Sequence, residues 1–186
     1  LEGIKYFNQL EWDIAVDRFN EAIAIDSTFM DAYFYLAISL GWAKDYSKTD
    51  QSAEEICKII LDKKLYHNEI EKQRVEGTYH YTKGDYKAAL PFFEKLIEIE
   101  PDNKLNWYGI GETYYHTGEH DSKVREENYP KALLSMQKVL ELDPDFQTAI
   151  YHIFDVLAYN KDWEEMIKFD LRYKMNISGK IQPRII

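Results

Sequence analysis

The chain has 186 residues, a formal net charge of −10 and a pI near 5.0, with 45% hydrophobic and 15% aromatic residues. It is long enough for one sizeable core or a short array of small units, and its charge repels phosphate backbones and anionic lipid heads, so neither nucleic acid nor a membrane surface is an expected partner. No apolar run approaches the ~18 residues that span a bilayer, and no basic segment leads into an apolar one as in a secretory signal.

The expected location is therefore cytoplasmic. The chain does not begin with Met and reads as a piece of a longer protein. Its single cysteine, Cys57, can form no internal disulfide; in the run AEEICKIIL it reads as a small core residue. With 15 Tyr against 8 Gly and 5 Pro, the composition suits packed helices and argues against disorder.

Four segments align along the chain: EWDIAVDRFNEAIAID from Glu11, GDYKAALPFFEKLIEIEPD from Gly84, ENYPKALLSMQKVLELDPD from Glu127 and KDWEEMIKFDLRYKMN from Lys161. Each opens with a polar residue and an aromatic, then carries an apolar stripe at i, i+3/i+4, i+7, the mark of an amphipathic helix. Asp13, Asp85, Asn128 and Asp162 are expected as caps or first-turn acids. Pro101 and Pro144 stop the following turn, and Asp102 and Asp145 are expected to cap the next helix. Pro91, inside the second of these runs, removes the backbone donor to Lys87 and is expected to bend the helix.

Anchor alanines set the period. Ala15 to Ala53, Ala53 to Ala89, Ala89 to Ala132 and Ala132 to Met166 are 38, 36, 43 and 34 residues apart, a base of 34 with insertions of 4, 2 and 9. The largest insertion, EHDSKVREEN at 119–128, is charged and lacks an apolar stripe; another lies around AKDYSKTDQS at 43–52. The units run about 1–27, 28–66, 67–101, 102–144 and 145–175, followed by a tail or linker at 176–186.

This pattern resembles the tetratricopeptide repeat, a 34-residue helix-turn-helix unit with small residues at fixed positions. The fourth unit carries it best, with Trp107, Ile110, Gly111, Tyr114, Gly118, Tyr129, Ala132, Met136, Val139 and Pro144. The third gives Gly77, Gly84, Tyr86, Ala89, Phe93, Leu96 and Pro101, and the first Gly3, Tyr6, Ala15, Phe19 and Ala22. The second keeps Tyr33, Leu36, Ala37, Ala53 and Cys57, and the fifth Ile150, Ile153, Trp163 and Tyr173. The resemblance covers about residues 1 to 175 and implies an all-α fold. About ten helices would form five antiparallel pairs in an α-α superhelix, with Gly or Ala of one helix facing Ala of its partner. Phe154 and Met166 stand at both small positions of the fifth unit and are expected to splay that pair.

The same resemblance implies a concave groove lined by the first helix of each pair. The positions it projects there are Asp31, Phe34, Ile38 and Trp42; Glu71, Arg74, Thr78 and Tyr81; Leu105, Tyr108, Glu112, Tyr115 and His116; and Thr148, Tyr151, Asp155 and Tyr159. A lining of tyrosines and acids suits a peptide with apolar anchors and basic groups. The clamp with which chaperone-binding members hold a carboxylate tail is absent, since only Arg74 is basic among the matching positions Phe34, Ile38, Glu71, Arg74 and Val75.

In HTGEHD, 116–121, Gly118 at the expected helix end separates His116 from His120, so the segment reads as a solvated loop beside Asp121 and no metal site is expected. His67, His80 and His152 read as ordinary side chains, and NIS at 176–178 as a chance glycosylation match. No catalytic motif is present and no cofactor is implied. The expected function is a non-catalytic scaffold that binds a protein or peptide segment. Two alternatives stand beside it. Residues 65–115 resemble repeat regions of bacterial signalling proteins such as kinases and transcriptional regulators, which makes a sensory or regulatory arm one alternative. The other is self-association through terminal helices into a homo-oligomer.

Overall fold

The computed structural model describes residues 2–43, 52–119 and 122–173, with side chains to residue 170. Among these residues there are ten α-helices and no strand. They are α1 (Glu2–Asn8), α2 (Trp12–Ile25), α3 (Met30–Trp42), α4 (Ala53–Lys63), α5 (Glu69–Thr82), α6 (Tyr86–Ile99), α7 (Lys104–Glu119), α8 (Ser122–Leu142), α9 (Gln147–Tyr159) and α10 (Trp163–Tyr173). Each packs against the next in sequence, so the chain advances hairpin by hairpin. Residues 44–51 of the expected insertion at 43–52, His120, Asp121, the NIS site and the tail 176–186 lie outside the described residues.

Local chemistry explains most boundaries. Ser52 and Glu55 form a reciprocal capping box at α4, with Ser52 N–H donating to Glu55 at 2.7 Å. Asn68 accepts from Glu71 N–H at 2.9 Å and Asp85 from Ala88 N–H at 3.3 Å. The turn preceding the second helix of a pair uses a left-handed residue: Leu10 (φ 61°), Gly84 (φ 75°) and Lys161 (φ 59°), each followed by an acid and an aromatic. Glycine adopts that conformation without strain; leucine and lysine do not.

Close packing follows one rule in the first and fourth units. A Cβ on Gly3 would lie 2.6 Å from the Phe19 ring, and one on Gly111 would lie 2.9 Å from Met136 Cε. Phe19 and Met136 each lie four residues after the anchor alanine of the second helix, Ala15 and Ala132, and all four are fully buried. The first atoms met in the glycine notch thus belong to the large side chain one turn on, rather than to the alanine.

Several expectations are corrected. The charged stretch 122–128 is not a loop. It forms the first two turns of α8, so Asn128 is a buried helical residue and not a cap. Arg125 explains this extension. Its guanidinium donates to Gly118 O at 2.9 Å and to Glu119 O, and lies over the rings of Tyr129 and Tyr159 at 5.6 and 5.1 Å. A cation there satisfies the terminal carbonyls of α7. Gly118 stands at the end of α7 as expected, one residue before Glu119, where a Cβ would meet the Tyr129 ring at 3.0 Å and Arg125 Cα at 3.1 Å. Asp102 and Asp145 do not cap; Asn103 accepts from Leu105 N–H at 3.1 Å, and α9 has no side-chain cap.

An open solenoid lets each unit touch only its neighbours. Here the first and fifth units meet. The Phe7 ring of α1 lies 5.2 Å from Phe146, which precedes α9, 5.1 Å from Tyr35 of α3 and 5.3 Å from Trp12. Phe146 in turn lies 5.0 Å from Tyr108 of α7. The inner helices converge and one aromatic cluster joins both ends of the array. Each such pair contributes about 0.5–1.5 kcal/mol beyond the apolar area it buries.

Candidate functional site

The converging helices enclose a cavity of about 1230 Å³. α7 supplies one stripe of it, with Tyr108, Glu112, Tyr115, His116 and Glu119 on successive turns. Trp12, α3 (Phe34, Trp42), α5 (Arg74, Tyr81) and α9 (Tyr151, His152, Asp155) complete the wall. The projected residues Phe34, Trp42, Arg74, Tyr81, Tyr108, Glu112, Tyr115, His116, Tyr151 and Asp155 all line this space. Asp31, Glu71 and Thr148 do not, and Tyr159 packs outside it, 5.2 Å from Tyr129.

Burial sorts these residues. Phe34, Arg74, Tyr108, Glu112 and Tyr115 are buried and give the cavity only the little surface left by their neighbours, whereas Tyr151 is half-buried and Asp155 exposed. Arg74 is already engaged. Its Nε donates to Asn106 Oδ1 at 2.8 Å, it pairs with Glu100, and it lies over Phe34 at 5.4 Å. It ties α5 to α6 and α7 instead of offering a free cation. Tyr115 stacks on Tyr129 at 5.2 Å and donates to Asp155 Oδ2 at 3.1 Å. Trp42 donates from Nε1 to Tyr108 OH at 2.9 Å and stacks on Trp12 at 5.7 Å.

At the centre of the polar wall stands Glu112. Tyr81 OH donates to its Oε2 at 2.7 Å, His152 Nε2 lies 2.5 Å from its Oε1, and His116 Nε2 lies 3.6 Å from Oε2. Burial alone would raise the Glu112 carboxyl; the adjacent His152 and His116 imidazoles outweigh it and hold the group well below the usual carboxylate range. Burial would likewise lower His116, but Glu112 and Glu119 hold it up at about 9. Desolvation pushes the phenols of Tyr81 and Tyr108 far upward, so both remain neutral donors. Glu112, His116 and His152 place one ligand atom each within 4.8 Å of the others.

Sequence reasoning missed His152, which sits among the apolar residues Ile150, Ile153 and Val156 of α9 and carries no local sign of its partner. It also weighed His116 only against His120 and set that pair aside, whereas the partners in space are Glu112, one turn back, and His152, from another unit.

The fold and cavity define an all-α array of paired helices around an inner chamber. A tetratricopeptide repeat family model matches residues 80–122, across α5 to α7. The TPR repeat-containing protein MJ1428 of Methanocaldococcus jannaschii is 22% identical over 117 residues, which are 63% of this chain and 19% of that protein. The chain thus spans about a fifth of that relative's length. Both support the tetratricopeptide repeat assignment. Among solved structures, MamA 41-end from Desulfovibrio magneticus RS-1 is 18% identical with a TM-score of 0.50, covering 96% of this chain and 93% of that one. The MamA RS-1 ArsTM double mutant is 19% identical with a TM-score of 0.49, covering 92% and 88%. The first of these likenesses shows the fold.

Proposed function

We propose that the chain is a non-catalytic protein-interaction module that takes a peptide segment of a partner into the inner cavity. One observation carries this reading: the accessible part of the wall combines aromatic rings, Trp42 and Tyr151, with the exposed carboxylate of Asp155, while Glu119 is paired with His116 and the one buried guanidinium is neutralised by Glu100. Such a surface selects a peptide with an aromatic or aliphatic anchor beside Lys or Arg, and the net charge of −10 steers it in.

Fluorescence anisotropy with labelled peptides of basic-aromatic and acidic-aromatic composition tests it. Tyr151→Ala and Asp155→Asn should each weaken the basic peptide roughly tenfold, about 1.4 kcal/mol, with helix content unchanged. Equal affinity in both variants, or preference for the acidic peptides, overturns the reading. Tyr115→Ala is a poor probe, because that ring is packed against Tyr129 and His152.

A second reading is favoured by α10. Trp163 and Ile167, one turn apart, are 56% and 61% exposed, an apolar face suited to a second copy. Sedimentation over a hundredfold concentration range should show association that Trp163→Ser abolishes; a constant monomer mass dismisses it. A regulatory arm of a larger signalling protein would use the same cavity, and the parent reading frame decides that.

A further inference from the structure

We propose that Glu112, His116 and His152 bind one divalent transition-metal ion of borderline softness, with Zn²⁺ as the reference case. The inference goes beyond peptide binding and needs no peptide for its test. Three observations converge on it.

The donor set comes first. Two imidazoles and one carboxylate disfavour Mg²⁺ and Ca²⁺, which take oxygen, and suit Zn²⁺, Co²⁺ or Ni²⁺. Donors about 2.1 Å from a tetrahedral ion stand roughly 3.4 Å apart. The separations here, 2.5 Å from Glu112 to His152 and 3.6 Å from Glu112 to His116, bracket that value. Shifts of about an ångström at the side-chain ends would place all three around one ion.

The second observation is unmet bonding. Glu112 Oε1 and both ring nitrogens of His152 are buried with no hydrogen bond, and both residues are 4% exposed. Although His152 Nε2 and Glu112 Oε1 approach to 2.5 Å, their geometry satisfies neither. Leaving such groups unpaired costs about 1–3 kcal/mol each. A cation between the Oε1 and Nε2 lone pairs satisfies both at once.

The third is the surrounding shell. Metal-bound histidines usually give their other nitrogen to a carboxylate, which fixes the ring and its tautomer. His116 already does so: Nδ1 lies 2.6 Å from Glu119 Oε2, which leaves Nε2 turned toward Glu112. Tyr81 holds the carboxylate from the other side through Oε2 at 2.7 Å. Three protein ligands leave a fourth position open, and all three residues line the cavity.

The test uses the whole chain, stripped with a chelator and titrated with Zn²⁺ by calorimetry and with Co²⁺ by visible absorption. One equivalent should bind, and His116→Ala and Glu112→Gln should each weaken it at least a hundredfold. Glu119→Gln, at an exposed position that does not threaten folding, should weaken it roughly 10–100-fold. His67→Ala and His80→Ala, outside the cluster, should leave it unchanged. Should Glu112→Gln fail to fold, His116→Ala and Glu119→Gln decide. No uptake at tenfold excess of Zn²⁺, or uptake equally strong in His116→Ala, overturns the proposal.

Discussion

The inner face of the array has two halves. Around Phe7, Tyr35, Tyr108 and Phe146 the helices close on apolar rings, with Phe7 and Phe146 wholly buried. Around Glu112 they close on a carboxylate, two imidazoles and phenols, with Glu112 Oε1 and the ring nitrogens of His152 left without a hydrogen bond. Burying rings is favourable in itself, at about 1.5–3 kcal/mol for a large side chain. Burying charge costs desolvation that a good ion pair barely repays, and apolar substitutes of similar volume are often as stable or more so. Stability alone accounts for the ring half. It does not account for the polar half around Glu112, where the proposed metal site lies.

The comparison can be broken at its strongest point first. Phe146→Ala should cost about 3–5 kcal/mol in urea unfolding, because it leaves a cavity where both ends of the array meet. The transition should also lose cooperativity, since the first and fifth units would no longer be joined directly. A loss below about 1 kcal/mol would mean that the ring contact does not hold the array closed. Next comes Arg74→Ala, which strands Asn106 and Glu100. It should cost about 2–3 kcal/mol; the usual figure for a broken buried pair is reduced because Glu100 is 35% exposed.

On the boundary between the halves, Trp42→Phe removes the indole N–H that bonds Tyr108 and shrinks the ring that packs on Trp12, Tyr151 and His152. The expected loss is about 1 kcal/mol, with a marked change in tryptophan fluorescence from the Trp12 stack. The smallest effect has the opposite sign. Lys161→Gly relieves a left-handed lysine in an exposed turn and should raise stability by up to about 1 kcal/mol in thermal unfolding. If Lys161→Gly destabilises instead, glycine's greater freedom in the unfolded chain outweighs the strain.

Much of this was legible in the sequence, for reasons that separate cleanly. Helix positions follow from stripes and breakers that act over a few residues, so Gly84, Ala89, Phe93 and Pro101 marked a unit without any partner in view. The residues lining the chamber were legible too, because repeat geometry fixes which side of each first helix faces inward; Trp42, Tyr81, Glu112 and Tyr151 followed from it. What stayed hidden depends on curvature. Nothing near Phe7 announces Phe146, 139 residues away, and nothing near His152 announces Glu112. The α8 extension was missed because Arg125 is informative only once Gly118 O and the rings of Tyr129 and Tyr159 are brought to it. Arg74 was placed in the groove without its partners, because Glu100 and Asn106 lie at the end of the next helix and in the one after it.

The contact between Phe7 and Phe146 has a consequence for lineage. Strings of identical modules normally gain or lose a copy with little penalty, since each copy answers only to those beside it. Here an extra hairpin between α2 and α9 would carry the two rings apart and open the chamber, so duplication within this stretch is penalised. Variation is left to side chains, and relatives that keep the ring pair should keep the number of hairpins between them.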